Sequence, residues 1–357
     1  MSSAIKKYAF INAKLRARLS KNISDALFEE MIKAKSFLET IEFLRDTPYS
    51  TIYSVYSETG DLLTAEKEIL KKEIALFTEL FKYVDSKTGE YIKALALRYE
   101  INNLKNCIRL FYDRFIRGRD ISMQTPYLIH EKFVHPYSCD RIVHASSNGE
   151  LVEALKGTPY YEIVKATIIE LDKTSTVFPI EIALDRFYYD NVFNQISLCL
   201  SKKDQKIALK VFYLDIDVEN IGRMVRFKHF YTLDANSALQ YIIPYGIVPL
   251  NINAFKRLYD NEDVSGFLSA LMEKSDSSLK SLFDTELRER SSRLLLIEKI
   301  TEQILLYEAR KILFRPPFTI GIILTYFILK QHEMKKIMTI LNAKNYNSQP
   351  ERISGLL

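Results

Sequence analysis

The segment Glu100-Ile-Asn-Asn103-Leu104-Lys-Asn-Cys-Ile108-Arg109 returns 117 residues later as Asp217-Val-Glu-Asn220-Ile221-Gly-Arg-Met-Val225-Arg226, and after a further 116 as Glu333-Met-Lys-Lys336-Ile337-Met-Thr-Ile-Leu341. Self-similarity at a near-constant period constrains a fold more than any isolated motif, because each copy must meet the same burial demands. The acid and the apolar positions Leu104, Ile221 and Ile337 persist; Asn103 and Asn220 give way to Lys336, and Arg109 and Arg226 lose their counterpart in the third copy. A second marker repeats in the same order: Leu44-Arg-Asp-Thr47-Pro48-Tyr49 recurs 111 residues on as Leu155-Lys-Gly-Thr158-Pro159-Tyr160, with a degraded echo at Leu271-Met-Glu-Lys-Ser275. In any one copy the apolar positions read as helix core and the acid as a cap or local partner. Two markers recurring in order imply three equivalent units.

Those units read as helical. Leu97, Ile101, Leu104, Ile108, Phe111 and Phe115 advance in steps of four and three, which places them on one face of a helix that must be buried. Leu27, Met31, Ala34, Leu38 and Ile41 form a similar stripe behind the cap candidate Ser24, and Ile69, Glu73, Phe77, Leu80 and Val84 nearly do so. Asp46-Thr-Pro-Tyr49 and Asp85-Ser-Lys-Thr-Gly89 read as the breaks between such helices. The chain holds only ten glycines and ten prolines in 357 residues, where usage of about 7% and 5% would place about 25 and 18, so turns are few and helices long.

Proline and glycine gather at Gly118 to Pro136 and at Pro244-Tyr-Gly-Ile-Val-Pro249, which read as interdomain connections. They divide the chain into 1–125, 126–243 and 244–357, each near the common domain size of about 100 to 150 residues. Repeats of such length favour small domains over a solenoid, whose usual period is about 20 to 50. The expected fold is all-α, with three similar helical domains in a pseudo-threefold, funnel-like arrangement.

Several chemistries are disfavoured. The closest two glycines, Gly149 and Gly157, are eight residues apart, too far for a phosphate-binding loop, a dinucleotide fingerprint or a nucleophile elbow. His130, His135, Cys139 and His144 fall within fifteen residues, but His130 and His135 are five apart where a helical zinc pair needs four, and His332-Glu333 is followed by Lys336 where a second histidine belongs. These histidines read as surface and linker residues, so no catalytic residue, cofactor or metal is expected. Cys107, Cys139 and Cys199 are widely separated and fit reduced thiols in the cytosol. The longest greasy run, Phe318 to Leu329, is twelve residues and includes two threonines, so no transmembrane segment is expected. Fifty basic against 45 acidic residues leave a net charge of only +5, too small to imply a dedicated nucleic-acid binder.

The opening Tyr8-Ala-Phe10-Ile-Asn12-Ala13-Lys14-Leu-Arg16-Ala17, the Thr-Pro-Tyr turns, the Tyr99-Glu100…Asn103-Leu104-Lys105 helix, the segment Pro179-Ile-Glu181-Ile-Ala-Leu-Asp185-Arg-Phe-Tyr-Tyr189 and the Tyr326…Lys330…Glu333 ending together resemble one family. It is the C-subunit family of the bacterial and archaeal V-type ATPases, related to the eukaryotic d subunit, and the similarity runs from about residue 5 to about residue 345. The resemblance implies a funnel of three similar helical domains. It also implies a non-catalytic adapter between the central-stalk shaft subunits and the membrane proteolipid ring, cytoplasmic and peripheral to the membrane. Gln331-His332, Lys336 and Gly222 depart from the family's pattern.

One local feature reads as a protein interface. Lys6, Lys7, Lys14, Arg16, Arg18 and Lys21 supply six bases and no acid between Ala4 and Lys21, beside the apolar stripe Tyr8, Ile11, Leu15 and Leu19. A solvated helix face is the plainer reading of the same residues. A helical scaffold that binds an acidic protein or nucleic acid through these bases and Arg114, Arg117 and Arg119 is the alternative to the adapter, and a steep salt dependence would distinguish it.

Overall fold

A computed structural model describes residues 3–131, 133–174, 176–229, 231–246, 252–261 and 293–356. Among them the chain is all-helical, with no strand: α1 (Ser3–Leu19), α2 (Asp25–Lys33), α3 (Phe37–Glu42), α4 (Ser50–Thr59), α5 (Leu62–Leu80), α6 (Ser86–Phe115), α7 (Cys139–Val143), α8 (Asn148–Glu153), α9 (Tyr160–Thr174), α10 (Phe178–Cys199), α11 (Lys202–His229), α12 (Ala235–Gln240), α13 (Ile252–Asn261), α14 (Arg293–Ile312), α15 (Gly321–Asn345) and α16 (Pro350–Leu356). The three acid-bearing segments lie on the three longest of these, α6, α11 and α15. The echo at Leu271–Ser275 and the end of the Pro244–Pro249 stretch lie outside the described residues.

The chain divides into two compact units, Met1–Asn12 with Ser201–Leu329, and Ala13–Leu200 with Lys330–Leu357. In the second unit, Phe28, Met31, Ile41, Leu44, Tyr49, Ile52 and Ile69 share one core with Ile337, Ile340, Leu341 and Ile353, so residues early and late in the chain bury one another. Elsewhere in this unit α6 packs lengthwise on α10 and meets α7. Its stripe Leu97, Ile101, Leu104, Ile108 and Phe111 is buried, while Phe115 at the helix end is not. Two ion pairs lace the α6–α10 seam, Lys105 to Asp185 at 2.7 Å and Arg109 to Glu181 at 2.5 Å.

Within the first unit, α11 packs on α14, with Lys210 bonded to Glu308 at 2.7 Å. A Cβ at Gly222 would lie 3.0 Å from a Glu298 oxygen, so this glycine sits at a close approach of those two helices. At the start of α15 a Cβ on Gly321 would come within 2.5 Å of Ile312 Cγ2. The branched isoleucine has few ways to yield. Asp204 gathers three donors here: Tyr8 Oη, the Ile320 N–H and Ser201 Oγ.

Two sequence expectations are corrected. The stripe from Leu27 to Ile41 is broken between α2 and α3, and Leu38 is exposed. Ser36 starts the second helix by accepting from the Glu39 N–H, and the Glu39 carboxylate takes the N–H of Lys35, so a reciprocal cap outcompetes the continuous period. Asp85-Ser-Lys-Thr-Gly89 is a helix start rather than a break. The Asp85 carboxylate accepts from the Thr88 N–H, and Ser86 to Gly89 form the first turn of α6.

The 111-residue repeat extends to individual hydrogen bonds. Ser147 and Glu150 cap α8 as Ser36 and Glu39 cap α3. Thr47 Oγ1 donates to the Leu44 carbonyl and accepts from the Tyr49 N–H; Thr158 does the same with Leu155 and Tyr160. Each threonine therefore closes a tight turn that delivers a buried tyrosine.

Candidate functional site

Both tyrosines end on a repeated acid. Tyr160 Oη donates to Glu100 Oε1 at 2.6 Å, and Tyr49 Oη donates to Glu333 Oε2 at 2.6 Å. The rest of each acid is satisfied from a corresponding stretch of backbone. Glu100 Oε2 accepts the N–H groups of Val134 and His135 at 2.6 and 2.8 Å, while Glu333 Oε1 accepts the N–H of Ile23, the position 111 residues before Val134, at 2.6 Å. A cation-capable side chain completes each set: His135 Nδ1 lies 2.8 Å from Glu100 Oε1, and Lys330 Nζ lies 2.6 Å from Glu333 Oε2. His135 is thus part of a buried carboxylate site rather than a surface or linker histidine.

Glu100 and Glu333 are buried, so an unsatisfied carboxylate at either place would be costly. Burial pulls the Glu100 carboxyl upward in pKa, but the hydrogen bonds from His135, Tyr160 and the backbone outweigh it and leave the group below its ordinary value. Burial also holds the Tyr160 hydroxyl protonated far above its usual range, so this phenol remains a donor.

One turn after the acid, Asn103 and Asn220 act alike. Asn103 exchanges two hydrogen bonds with the Ile129 backbone, at 2.9 and 3.0 Å, and Asn220 does so with Ile243, at 3.0 and 2.9 Å. Each side-chain amide mimics a backbone group and fastens the following segment to its helix. Ile121, Leu128 and Ile129, in the segment that follows α6, are buried. Asp217 is buried in register with Glu100, and Leu104, Ile221 and Ile337 are fully buried core.

The remaining sequence markers are not brought into these carboxylate sites. Arg109 reaches Glu181 and Arg226 reaches Glu219, both as half-exposed guanidiniums. Lys336 lies over the Phe28 ring at 4.2 Å. Along α1 the stripe Tyr8, Ile11 and Leu15 is buried. Lys14 bonds Glu79 and covers Tyr83, Lys7 lies over Tyr8, Arg16 is half-buried, and Lys6 and Arg18 are exposed. Residues absent from the sequence markers prove structurally prominent: Arg98 joins Gln331 and Tyr189 at 3.1 and 3.0 Å, linking α6, α15 and α10. No signal short of three-dimensional contact pairs Arg98 with a residue 233 positions away.

The chemistry of these sites is inward. Glu100 and Glu333 already accept from three or four groups each, which leaves them occupied by the protein's own donors. Among the described residues no group of histidine, cysteine, aspartate and glutamate is arranged to hold a metal ion, and no helix is long and apolar enough to cross a membrane. The arrangement defines an internally braced helical framework, whose conspicuous buried acids serve its own architecture.

Comparison with known proteins gives that framework a family. Residues 11–356 match the model of the ATP synthase (C/AC39) subunit, and the chain belongs to that family. Among its relatives are the C subunits of the A-type ATP synthases of three archaea. That of Methanocaldococcus jannaschii is 26% identical over 98% of this chain and 86% of its own length. Those of Methanothermobacter thermautotrophicus and Desulfurococcus sp. are each 23% identical, over 96% and 98% of this chain and 86% and 90% of their own lengths.

Proposed function

We propose that the chain is the non-catalytic central-stalk adapter of a rotary A/V-type ATP synthase, joining the shaft subunits to the membrane proteolipid ring from the cytoplasmic side. The match over residues 11–356 carries this reading, together with A-type ATP synthase relatives that align along nearly their whole length. Torque passes through an adapter only if it is stiff between its two attachments. Acids satisfied by groups up to 310 residues away in sequence supply such bracing. Three domains, 1–125, 126–243 and 244–357, around a pseudo-threefold axis would present equivalent helices to an axial partner. The exposed bases of α1, Lys6 and Arg18 with neighbouring Lys7, Lys14 and Arg16, would contribute to its contacts.

The test pairs ATP hydrolysis with ion transport in membranes that lack this chain, before and after purified protein is added back. Hydrolysis by the catalytic head should persist without the chain, while transport is absent until it returns. Full ion transport in its absence, at normal levels of assembled head and ring, would refute the coupling role.

A further inference from the structure

The turn between α14 and α15 carries Phe314, which is 90% exposed, the most exposed large apolar side chain among the described residues. Exposure here does not reflect a loose end. The N–H groups of Leu313, Phe314 and Arg315 bond the carbonyls of Arg310, Lys311 and Ile312 at 3.0, 3.2 and 3.1 Å, so helix α14 tightens into an ordered tip. Around the ring, Arg310, Arg315, Pro316 and Pro317 are also exposed. The sequence from Ala309 to His332 contains no aspartate or glutamate, and Arg310, Lys311 and Arg315 fall together at its start.

We propose that this Phe314 tip contacts an anionic lipid surface, with the ring entering the headgroup layer and Arg310 and Arg315 facing lipid phosphates and carboxylates. The aromatic side chain and adjacent bases match the two attractions of an interfacial anchor, burial of apolar area and electrostatic pull. Pro316 and Pro317 add a third reason, since neither has a backbone N–H that would need a partner on leaving water. A protein partner fits less well. The core of a protein interface needs contiguous apolar area, and here a single ring projects between exposed arginine and proline. The proposal stands on the turn itself and holds whether or not the chain couples a rotor.

The chain contains no tryptophan, so Phe314→Trp in the full-length protein gives a single emission probe, with Leu38→Trp as a second exposed site for control. Vesicles of mixed phosphatidylserine and phosphatidylcholine should shift the Phe314→Trp emission to the blue, and brominated lipid should quench it, while the control stays unchanged. Adding Arg315→Glu should weaken partitioning by roughly tenfold or more, because it reverses one charge at the surface. Far-ultraviolet circular dichroism verifies that each variant keeps its helices. An unshifted Phe314→Trp spectrum with anionic vesicles overturns the proposal. So does vesicle binding without quenching at the tip, which would assign the affinity to another surface. Equal partitioning into pure phosphatidylcholine would remove the anionic requirement and overturn it too. Quenching by purified proteolipid in detergent, without any response to lipid vesicles, would replace the lipid with a protein contact.

Discussion

The carboxylate sites at Glu100 and Glu333 are two solutions to one problem. Each acid is buried on a long helix and receives a tyrosine from a Thr-Pro-Tyr turn and at least one backbone N–H from a corresponding segment. They differ in the last donor: His135, whose ring is part-exposed, against Lys330, which is buried. The first site joins segments 34 to 60 residues apart, whereas the second joins partners up to 310 residues apart. The comparison teaches that the acid is common to both sites, while its last donor is chosen locally. A buried ammonium and a part-exposed imidazole close the same geometry.

That difference should separate the two sites on mutation. Glu333→Ala strands Lys330 as a buried cation and is expected to cost roughly 3–5 kcal/mol in urea denaturation. Replacing Lys330 by Met in the same chain should recover part of the loss. Glu100→Ala leaves the Tyr160 hydroxyl, the His135 ring and two backbone N–H groups without their acceptor, for an expected loss of about 3 kcal/mol. His135→Phe should recover less there, since the Val134 and His135 N–H groups remain unanswered. Equal losses and equal rescues would mean that the identity of the last donor is immaterial.

Acid titration sharpens the contrast. The Glu100 carboxyl is held below its ordinary value of 4.5 in the folded chain, so its contribution is complete above that pH and is lost as pH falls through the lowered folded value. The stability difference between wild type and Glu100→Gln should therefore be flat from neutral pH to about pH 5 and shrink below the ordinary value. A difference that instead shrinks as pH rises from neutrality would reverse the assigned direction.

The smallest effect belongs to α1. Replacing Lys14, Arg16 and Arg18 together by glutamate removes a partly exposed pair with Glu79 and should change the urea midpoint least of these variants, with helix content unchanged. If the basic face is a contact, association with the stalk complex should weaken while folding does not. Unaltered association at low and high salt would remove this face from the interface.

Much of this framework is legible in residue order. The helical periods of α6 and the repeated acid are visible because both depend on local spacing. Each Thr-Pro-Tyr turn is visible as a repeated marker, but its target is not, since Tyr49 and Glu333 are 284 residues apart. The cap at Ser36 is hidden by an apolar stripe that continues past it, although Ser36-Phe-Leu-Glu39 carries the spacing of a reciprocal cap. His135 escapes a reading based on metal-ligand spacing, because its partner is a carboxylate on another element. That pairing depends on the segment after α6 folding back along the helix, where Asn103 bonds Ile129 and Tyr137.

The central claim is that the repeated acid and the repeated tyrosine form one interaction at both Glu100 and Glu333. Thermodynamic double-mutant cycles measure this directly, with Glu100→Ala against Tyr160→Phe and Glu333→Ala against Tyr49→Phe, each followed by urea denaturation. Coupling of at least about 1 kcal/mol is expected at both pairs. Additivity to within about 0.3–0.5 kcal/mol at either pair would contradict the claim that acid and tyrosine hold the repeat together.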